Sequence, residues 1–399
     1  MEDRVLAKPA VIKLKPGRDQ RVRAGSLWIY QGEIWSNTAD VDPGSIVDVV
    51  DAKDRFLGRG YFNPASQISV RVLTRVKEDI TTDFFARRLQ RAIAYRHRVA
   101  PEARAKRIVF SEADLLPGII VDQYEDYLVV QILTLGMEKF RETLLPLLVD
   151  LLSPKAIVER SDANSRLHEG LSERVGVCYG SITGEIIINE KTYRYLADLG
   201  SGQKTGHFLD QRLNRLVVAS YAKGLSMLDC FCHTGMFGII SALAGADSVV
   251  GVDIDAKSLR IAEKNAELNM VGAKCRFVEA NAFDFLRAAV EKKEKFSLIV
   301  LDPPAFTKSK SRVEQALRGY KEINRRALQL LDKGGILVTC SCSHHISLEL
   351  FQDVIFAAAA DTGRQLRLRE RRGQSPDHPI LLGMPETEYL KCLILDDLS

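Results

Sequence analysis

A chain of 399 residues, 46% hydrophobic and 27% charged, can bury the cores of two or three globular domains and is neither a fibrous nor a disordered polymer. No run approaches the roughly 18 uncharged apolar residues of a membrane span, and Met1-Glu2-Asp3-Arg4 lacks the apolar core of a secretory leader, so a cytoplasmic address and no membrane partner are expected. A net charge of +4 is too small to argue for nucleic acid by itself, and seven cysteines, four of them in the C-x-C pairs Cys230/Cys232 and Cys340/Cys342, read as reduced thiols rather than a disulfide framework.

Residues 1 to about 74 carry short alternating or β-branched runs broken by turns at Gly25, Asp42-Pro43-Gly44, Asp51 to Arg55 and Asn63-Pro64, which predicts a small β-rich barrel. A helix follows at about 80–100, with Phe84, Phe85, Leu89, Ala92 and Ile93 as its apolar stripe. Strands around 114–133, a helix near 137–152 and further strands up to about 187 predict a second, mixed α/β domain. Three basic blocks, Lys8 to Arg23, Arg87 to Arg107 and Arg364 to Arg372, together suggest a polyanionic partner, although each alone reads as a solvated face.

From about residue 200 apolar strands alternate with amphipathic helices, the pattern of a doubly wound parallel sheet. Strands are predicted at Ser226 to Asp229, Ser248 to Asp253, Phe296 to Asp302 and Ile336 to Thr339, and a helix at Lys257 to Asn269. Ligands of such sheets lie beyond the carboxyl ends of the strands. There Asp229 is followed by a turn holding Gly235 and Gly238, where backbone can approach a nucleoside closely. Asp253, 24 residues further on, is placed to accept both hydroxyls of a ribose. The spacing is not G-x-G-x-x-G, so a nicotinamide dinucleotide is not expected and S-adenosylmethionine fits better. Glu279-Ala280-Asn281-Ala282-Phe283 would flank the adenine.

Asp302-Pro303-Pro304 ends a buried strand in a rigid corner that presents a carboxylate and carbonyls, as enzymes that hold a flipped-out nucleobase require. Thr339 to His345 brings Cys340 and Cys342 to the same rim. Methylation at a pyrimidine carbon needs a thiolate, which adds to the neighbouring ring carbon and makes carbon 5 nucleophilic. A helix expected near Ser347 could help to depress the Cys342 thiol. Two other readings of the cysteines remain: a zinc site formed by Cys230, Cys232 and His233 with Cys340, Cys342, His344 and His345, and inert buried thiols, the reading preferred for Cys230, Cys232 and Cys340.

Lys204 to Arg212, the D-x-F-x-x-T-G-x-F turn from Asp229 to Phe237, the D-P-P-x-F corner ending at Phe306, Arg318 to Asn324 and Ser341-Cys342-Ser343 resemble the bacterial ribosomal RNA large subunit methyltransferase I family over essentially the whole chain. The resemblance implies a PUA domain at 1–74, begun by Gly17-Arg18, Trp28 and Gly32-Glu33, then a central α/β domain at 75–187 and a class I methyltransferase domain with a Rossmann-like sheet at 188–399. It further implies S-adenosylmethionine-dependent methylation of carbon 5 of a cytidine in 23S rRNA, naked or in a large-subunit assembly intermediate, with Cys342 as nucleophile and Asp302 catalytic. The cofactor residues it implies are Phe208, Asp210, Arg212, Asp229, Phe231, Thr234, Gly235, Asp253, Ile254, Asn281, Ala282, Asp302 and Pro303, with no metal. Gln374, Asp377, His378 and Pro379 also match the family, without a role that the residues reveal, and a homodimer is compatible with everything above.

Other RNA cytosine methyltransferases carry a second cysteine where this chain has Pro304, so the base that removes the carbon-5 proton is open among Asp302, Lys308 and water. A related family with a similar corner methylates guanine without the motif cysteine. Two alternatives therefore stand: methylation at a guanine or adenine nitrogen, and a non-catalytic ribosome-assembly protein that binds RNA.

Overall fold

The computed structural model describes residues 8–200, 206–307 and 309–399. The chain forms two compact units, Met1–Ile186 with Ala197–His207 and Pro376–Thr387, and Ile187–Leu196 with Phe208–Ser375 and Glu388–Ser399.

The first unit opens with β1 (Ala10–Lys13), the short helix α1 (Gln20–Arg23), β2 (Trp28–Tyr30), β3 (Ile46–Val50), β4 (Phe56–Phe62) and β5 (Ile68–Thr74), in one sheet of order β1-β3-β4-β5-β2. Alternation along these strands turns Ile12, Val47, Val49, Val70 and Val72 inward, each fully buried. The helix α2 (Thr82–Val99) is capped by the Thr81 hydroxyl, which accepts from Phe84 N, and buries Phe84, Phe85, Leu89 and Ala92. The second sheet, order β10-β9-β8-β7-β6, is built from β6 (Ala105–Phe110), β7 (Ile119–Tyr124), β8 (Tyr127–Ile132), β9 (Ala156–Ser161) and β10 (Arg174–Gly180). Its helices are α3 (Leu135–Lys139), α4 (Arg141–Leu152) and α5 (Asn164–Leu167), so the single helix expected at 137–152 is broken at Phe140.

The basic block 87–107 is not a uniform solvated face. Arg96 is completely buried, paired with Asp114 and donating to the Arg107 carbonyl at 2.8 Å, and the Arg107 guanidinium is forked onto Asp122 at 2.7 and 2.9 Å. A carboxylate partner is what makes such burial tolerable.

The two-stranded pair β11 (Ile186–Asn189) and β12 (Arg194–Ala197) precedes the second unit proper. The second unit alternates α6 (Arg212–Ser220), β13 (Ser226–Cys230), α7 (Met236–Leu243), β14 (Ser248–Asp253), α8 (Ala256–Leu268), β15 (Cys275–Glu279), α9 (Ala282–Glu291), β16 (Phe296–Leu301), α10 (Val313–Leu330), β17 (Leu331–Ser341), α11 (Leu348–Thr362), β18 (Leu366–Arg372) and β19 (Lys391–Asp397). The sheet order is β15-β14-β13-β16-β17-β19-β18, parallel from β15 to β17 and antiparallel for the last two strands. Strand order reverses between β13 and β16, which opens a crevice at their carboxyl ends. Leu298 to Leu301 are fully buried, as a parallel strand covered on both faces requires. The third basic block is largely spent within this unit: Arg364 pairs with Asp397, Arg367 and Arg369 with Asp396, and Arg372 with Glu370. Among the described residues no helix is long and apolar enough to cross a membrane.

Candidate active site

The loop from β13 to α7 carries the most constrained backbone of the crevice. Phe231, His233 and Gly235 have φ of 63°, 49° and 77°, and non-glycine residues enter that region only at a cost. A Cβ on Gly235 would lie 2.8 Å from the Phe277 ring and 3.0 Å from Ala262, so this turn admits only glycine. At the end of β13 Asp229 is 1% exposed, its Oδ2 accepts from Gly238 N at 3.1 Å, and its Oδ1 has no hydrogen-bond partner among the described residues. Burial pushes its carboxyl up to about 8. Asp253 ends β14, with Oδ2 accepting from His233 N at 2.8 Å and Oδ1 from Asp255 N at 3.0 Å. Ile254 beside it is 69% exposed, Thr234 is buried, and Asn281 caps α9 by accepting from Phe283 N, with Ala282 buried behind it. A tight apolar turn, an orphaned buried carboxylate oxygen and a second carboxylate at the next strand end fit a nucleoside carrying an amino-acid cation.

The segment Phe208–Arg212 joins this turn, the Phe208 ring meeting His233 edge-on with centroids 5.0 Å apart. Asp210 is buried, its Oδ2 accepting from Tyr389 Oη at 2.6 Å and its carbonyl from Ser375 N at 2.8 Å. Arg212 is half-buried at the start of α6. Lys204, Thr205 and Lys308 lie outside the described residues.

On the other side of β13, Asp302-Pro303-Pro304 follows β16. Asp302 N donates to the Cys230 carbonyl at 3.3 Å and its Oδ1 accepts from Gln211 Nε2 at 2.9 Å, while Asn214 Nδ2 holds Gln211 Oε1 at 2.6 Å. Cys342, half-buried just past β17, directs its Sγ at the Pro303 carbonyl 3.8 Å away. Phe306 packs on Tyr320 with centroids 4.5 Å apart, and the Tyr320 and Ser343 hydroxyls are 3.0 Å apart. The structure thus brings Cys342, Asp302 and Pro303 together. Cys340 does not join them: it is completely buried in register with Cys392 of β19, and the Cys392 sulfur together with burial pushes its thiol well up. Burial likewise pushes up the thiols of Cys230 and Cys232. Among the described residues no group of three or more His, Cys, Asp or Glu is arranged to hold a metal ion.

Three residues of this region carry no role in the sequence reading. Gln211 lay inside a recognised motif, and Tyr389 gives no local signal. Lys391 does give one, as a lone cation opening the apolar run Cys392 to Leu395. Its Nζ donates to the carbonyls of Ser343 at 2.8 Å and Tyr389 at 2.9 Å. The Gln374-to-Pro379 motif resolves into clips. Gln374 Oε1 accepts from Tyr389 N and Leu390 N, whereas Asp377, within the other unit, accepts from Arg107 N on its carboxylate and from Arg96 Nη2 on its carbonyl, each at 3.0 Å.

Residues 177–394 match the model of the S-adenosylmethionine-dependent methyltransferases, and residues 12–75 that of a PUA-like domain. Over 96% of its length the chain is 44% identical to the ribosomal RNA large subunit methyltransferase I of Shewanella denitrificans and 42% identical to that of Tolumonas auensis, covering 98% of each. The chain belongs to the ribosomal RNA large subunit methyltransferase I family. Its cofactor is S-adenosylmethionine, and its fold is the class I methyltransferase sheet preceded by a PUA-like domain, as the sequence led us to expect. The family fold recurs in a Streptococcus mutans chain described as a candidate SAM-dependent methyltransferase, with TM-score 0.83, 18% identity and 97% of this chain and all of that one covered. A second such methyltransferase, solved with SAH, gives a TM-score of 0.84 at 19% identity.

Proposed function

We propose that the protein methylates carbon 5 of a cytidine in 23S ribosomal RNA through a covalent adduct at Cys342. The observation that carries this reading is the Cys342 thiol against the Pro303 carbonyl at the corner that also holds Asp302, in the crevice of a S-adenosylmethionine-dependent fold. The rRNA substrate follows from the name that its relatives bear, and the cytoplasm from that substrate.

The cofactor supplies the methyl group. Asp253 would accept the ribose hydroxyls, and Ile254, Asn281 and Ala282 would hold the adenine. The Phe231–Gly235 turn, with Thr234, and Asp229 would hold the amino-acid end, together with Phe208, Asp210, Arg212, Asp302 and Pro303. Asp302, oriented by Gln211, holds the polar edge of the cytosine while Cys342 adds to carbon 6. Residues 1–74 and 75–187 serve as the PUA-like and central domains that bind RNA, ahead of a catalytic domain at 188–399 from which Pro376–Thr387 returns to the first unit.

RNA containing 5-fluorocytidine is expected to trap the wild-type enzyme as a denaturation-stable adduct, because fluorine cannot leave as the proton does. No adduct, together with a methyl group mapped to a ring or exocyclic nitrogen, would replace this reading by nitrogen methylation. For the cofactor, removal of a charged hydrogen-bonding partner costs on the order of 1.5–3 kcal/mol, so Asp253→Ala should weaken S-adenosylmethionine binding roughly ten- to a hundredfold in calorimetry. An unchanged affinity would remove Asp253 from the ribose site.

A further inference from the structure

The base that takes the carbon-5 proton has no assignment so far. Asp302 is engaged by Gln211 and is used on the polar edge of the base. Lys391 is a different kind of group. It stands opposite Ser341 in the β17 and β19 pairing, one residue from Cys342, at the point where the chain leaves the sheet for the crevice. Its Nζ donates to the carbonyls of Ser343 and Tyr389. These two hydrogen bonds account for both N–H groups of a neutral amine and leave the fourth tetrahedral direction to its lone pair.

From this geometry we propose that the Lys391 amine is the catalytic base that removes the carbon-5 proton. The inference rests on the covalent reading of Cys342. Burial lowers the amine to about 8, outweighing the negative charges of Cys342 and Glu388, which act to keep its proton on. Such a group has a sizeable neutral fraction near physiological pH, which suits a general base.

Cys342 sulfur has bonded to carbon 6, and carbon 5 has taken the methyl group, leaving carbon 5 with a methyl, a proton and a single bond to carbon 6. When the methyl enters from the face opposite the sulfur, the proton lies on the sulfur's face, where the base has to stand. The Lys391 lone pair takes that proton, the carbon–hydrogen pair becomes the carbon 5–carbon 6 double bond, and sulfur leaves with the carbon–sulfur pair as thiolate. The new ammonium, on a half-buried side chain, then releases its proton to water. Alkylation of the sulfur during the adduct stage removes a negative charge that had favoured the ammonium, so the amine is most available as a base when it is needed.

The test uses the full chain, RNA with ordinary cytidine and S-adenosylmethionine carrying a labelled methyl group. Lys391→Met removes the base. Lys391→Arg keeps a cation that can donate to both carbonyls but cannot give up its proton near neutral pH, and so serves where the first variant folds poorly. In both, turnover should fall about a hundredfold or more while a denaturation-stable protein–RNA adduct bearing the labelled methyl accumulates, which the wild type does not build up. Adding Cys342→Ala should abolish that adduct. Release of methylated RNA within about threefold of the wild-type rate overturns the proposal. So does loss of both adduct and transfer with cofactor binding intact, which would place Lys391 before the methyl transfer. Failure of the wild type to be trapped by 5-fluorocytidine is read separately, condemns the covalent reading itself and takes this base with it.

Discussion

Replacing Cys342 by alanine is expected to reduce methyl transfer to rRNA by on the order of a thousandfold or more and to abolish the 5-fluorocytidine adduct, with cofactor affinity unchanged within about twofold. The reason is chemical: carbon 5 of cytosine is a poor nucleophile until sulfur adds beside it. The side chain is half-buried at the rim, beyond the end of β17, so truncation removes little core. Cys340→Ala is the matched comparison. That thiol is completely buried against Cys392, and its loss opens a small cavity costing about 1 kcal/mol while leaving the adduct intact. An adduct that survives Cys342→Ala but not Cys340→Ala would move the nucleophile two residues back. Full activity in both variants would end the covalent mechanism.

The second large effect concerns stability and pH. Asp229 is buried with its carboxyl raised from 3.8 to about 8, whereas in the unfolded chain it ionises near its ordinary value. The folded state therefore binds this proton more tightly. The stability this group contributes is fully present below about pH 4 and is lost as pH rises through 8, in all on the order of a few kcal/mol. Asn in its place keeps an acceptor for Gly238 N and has no proton to lose. Without cofactor, Asp229→Asn should gain on the wild type in melting temperature as pH goes from 5 to 8, and should bind S-adenosylmethionine more weakly at pH 8. Parallel stability profiles for the two proteins would mean that the carboxylate is ionised in the fold and satisfied by a partner. A buried acid that destabilises the free enzyme near neutral pH, with one oxygen unpartnered, is the pattern of a group kept for a ligand.

The alternation of apolar strands and amphipathic helices from residue 200 onward determined a parallel sheet by itself, because strands covered on both faces must be continuously apolar and their crossovers helical. The ends of those strands likewise pointed to Asp229, Asp253 and Asp302 as candidates, since ligand groups in such sheets cluster where strand order reverses, and Cys342 stood out as the thiol that the proposed pyrimidine chemistry would use. Charge was less legible. The runs of arginine that read as polyanion-binding faces include Arg96, Arg107 and Arg364 to Arg372, several of which are committed to Asp114, Asp122, Asp396 and Asp397. Those partners are distant in sequence, and a cation looks the same in one dimension whether it faces water or a carboxylate.

Separating Cys340 from Cys342 also required the fold, because two cysteines two residues apart look alike in sequence and only the register with β19 shows the first buried against Cys392 and the second just past the end of β17. Gln211 and Lys391 belong to the same class. Each is held by a hydrogen bond to a segment 91 or 48 residues away in the chain, and such contacts are created by the tertiary fold rather than by local sequence. Residue type and spacing name the chemistry a site could perform, while the positions of the groups around it are decided by the tertiary fold.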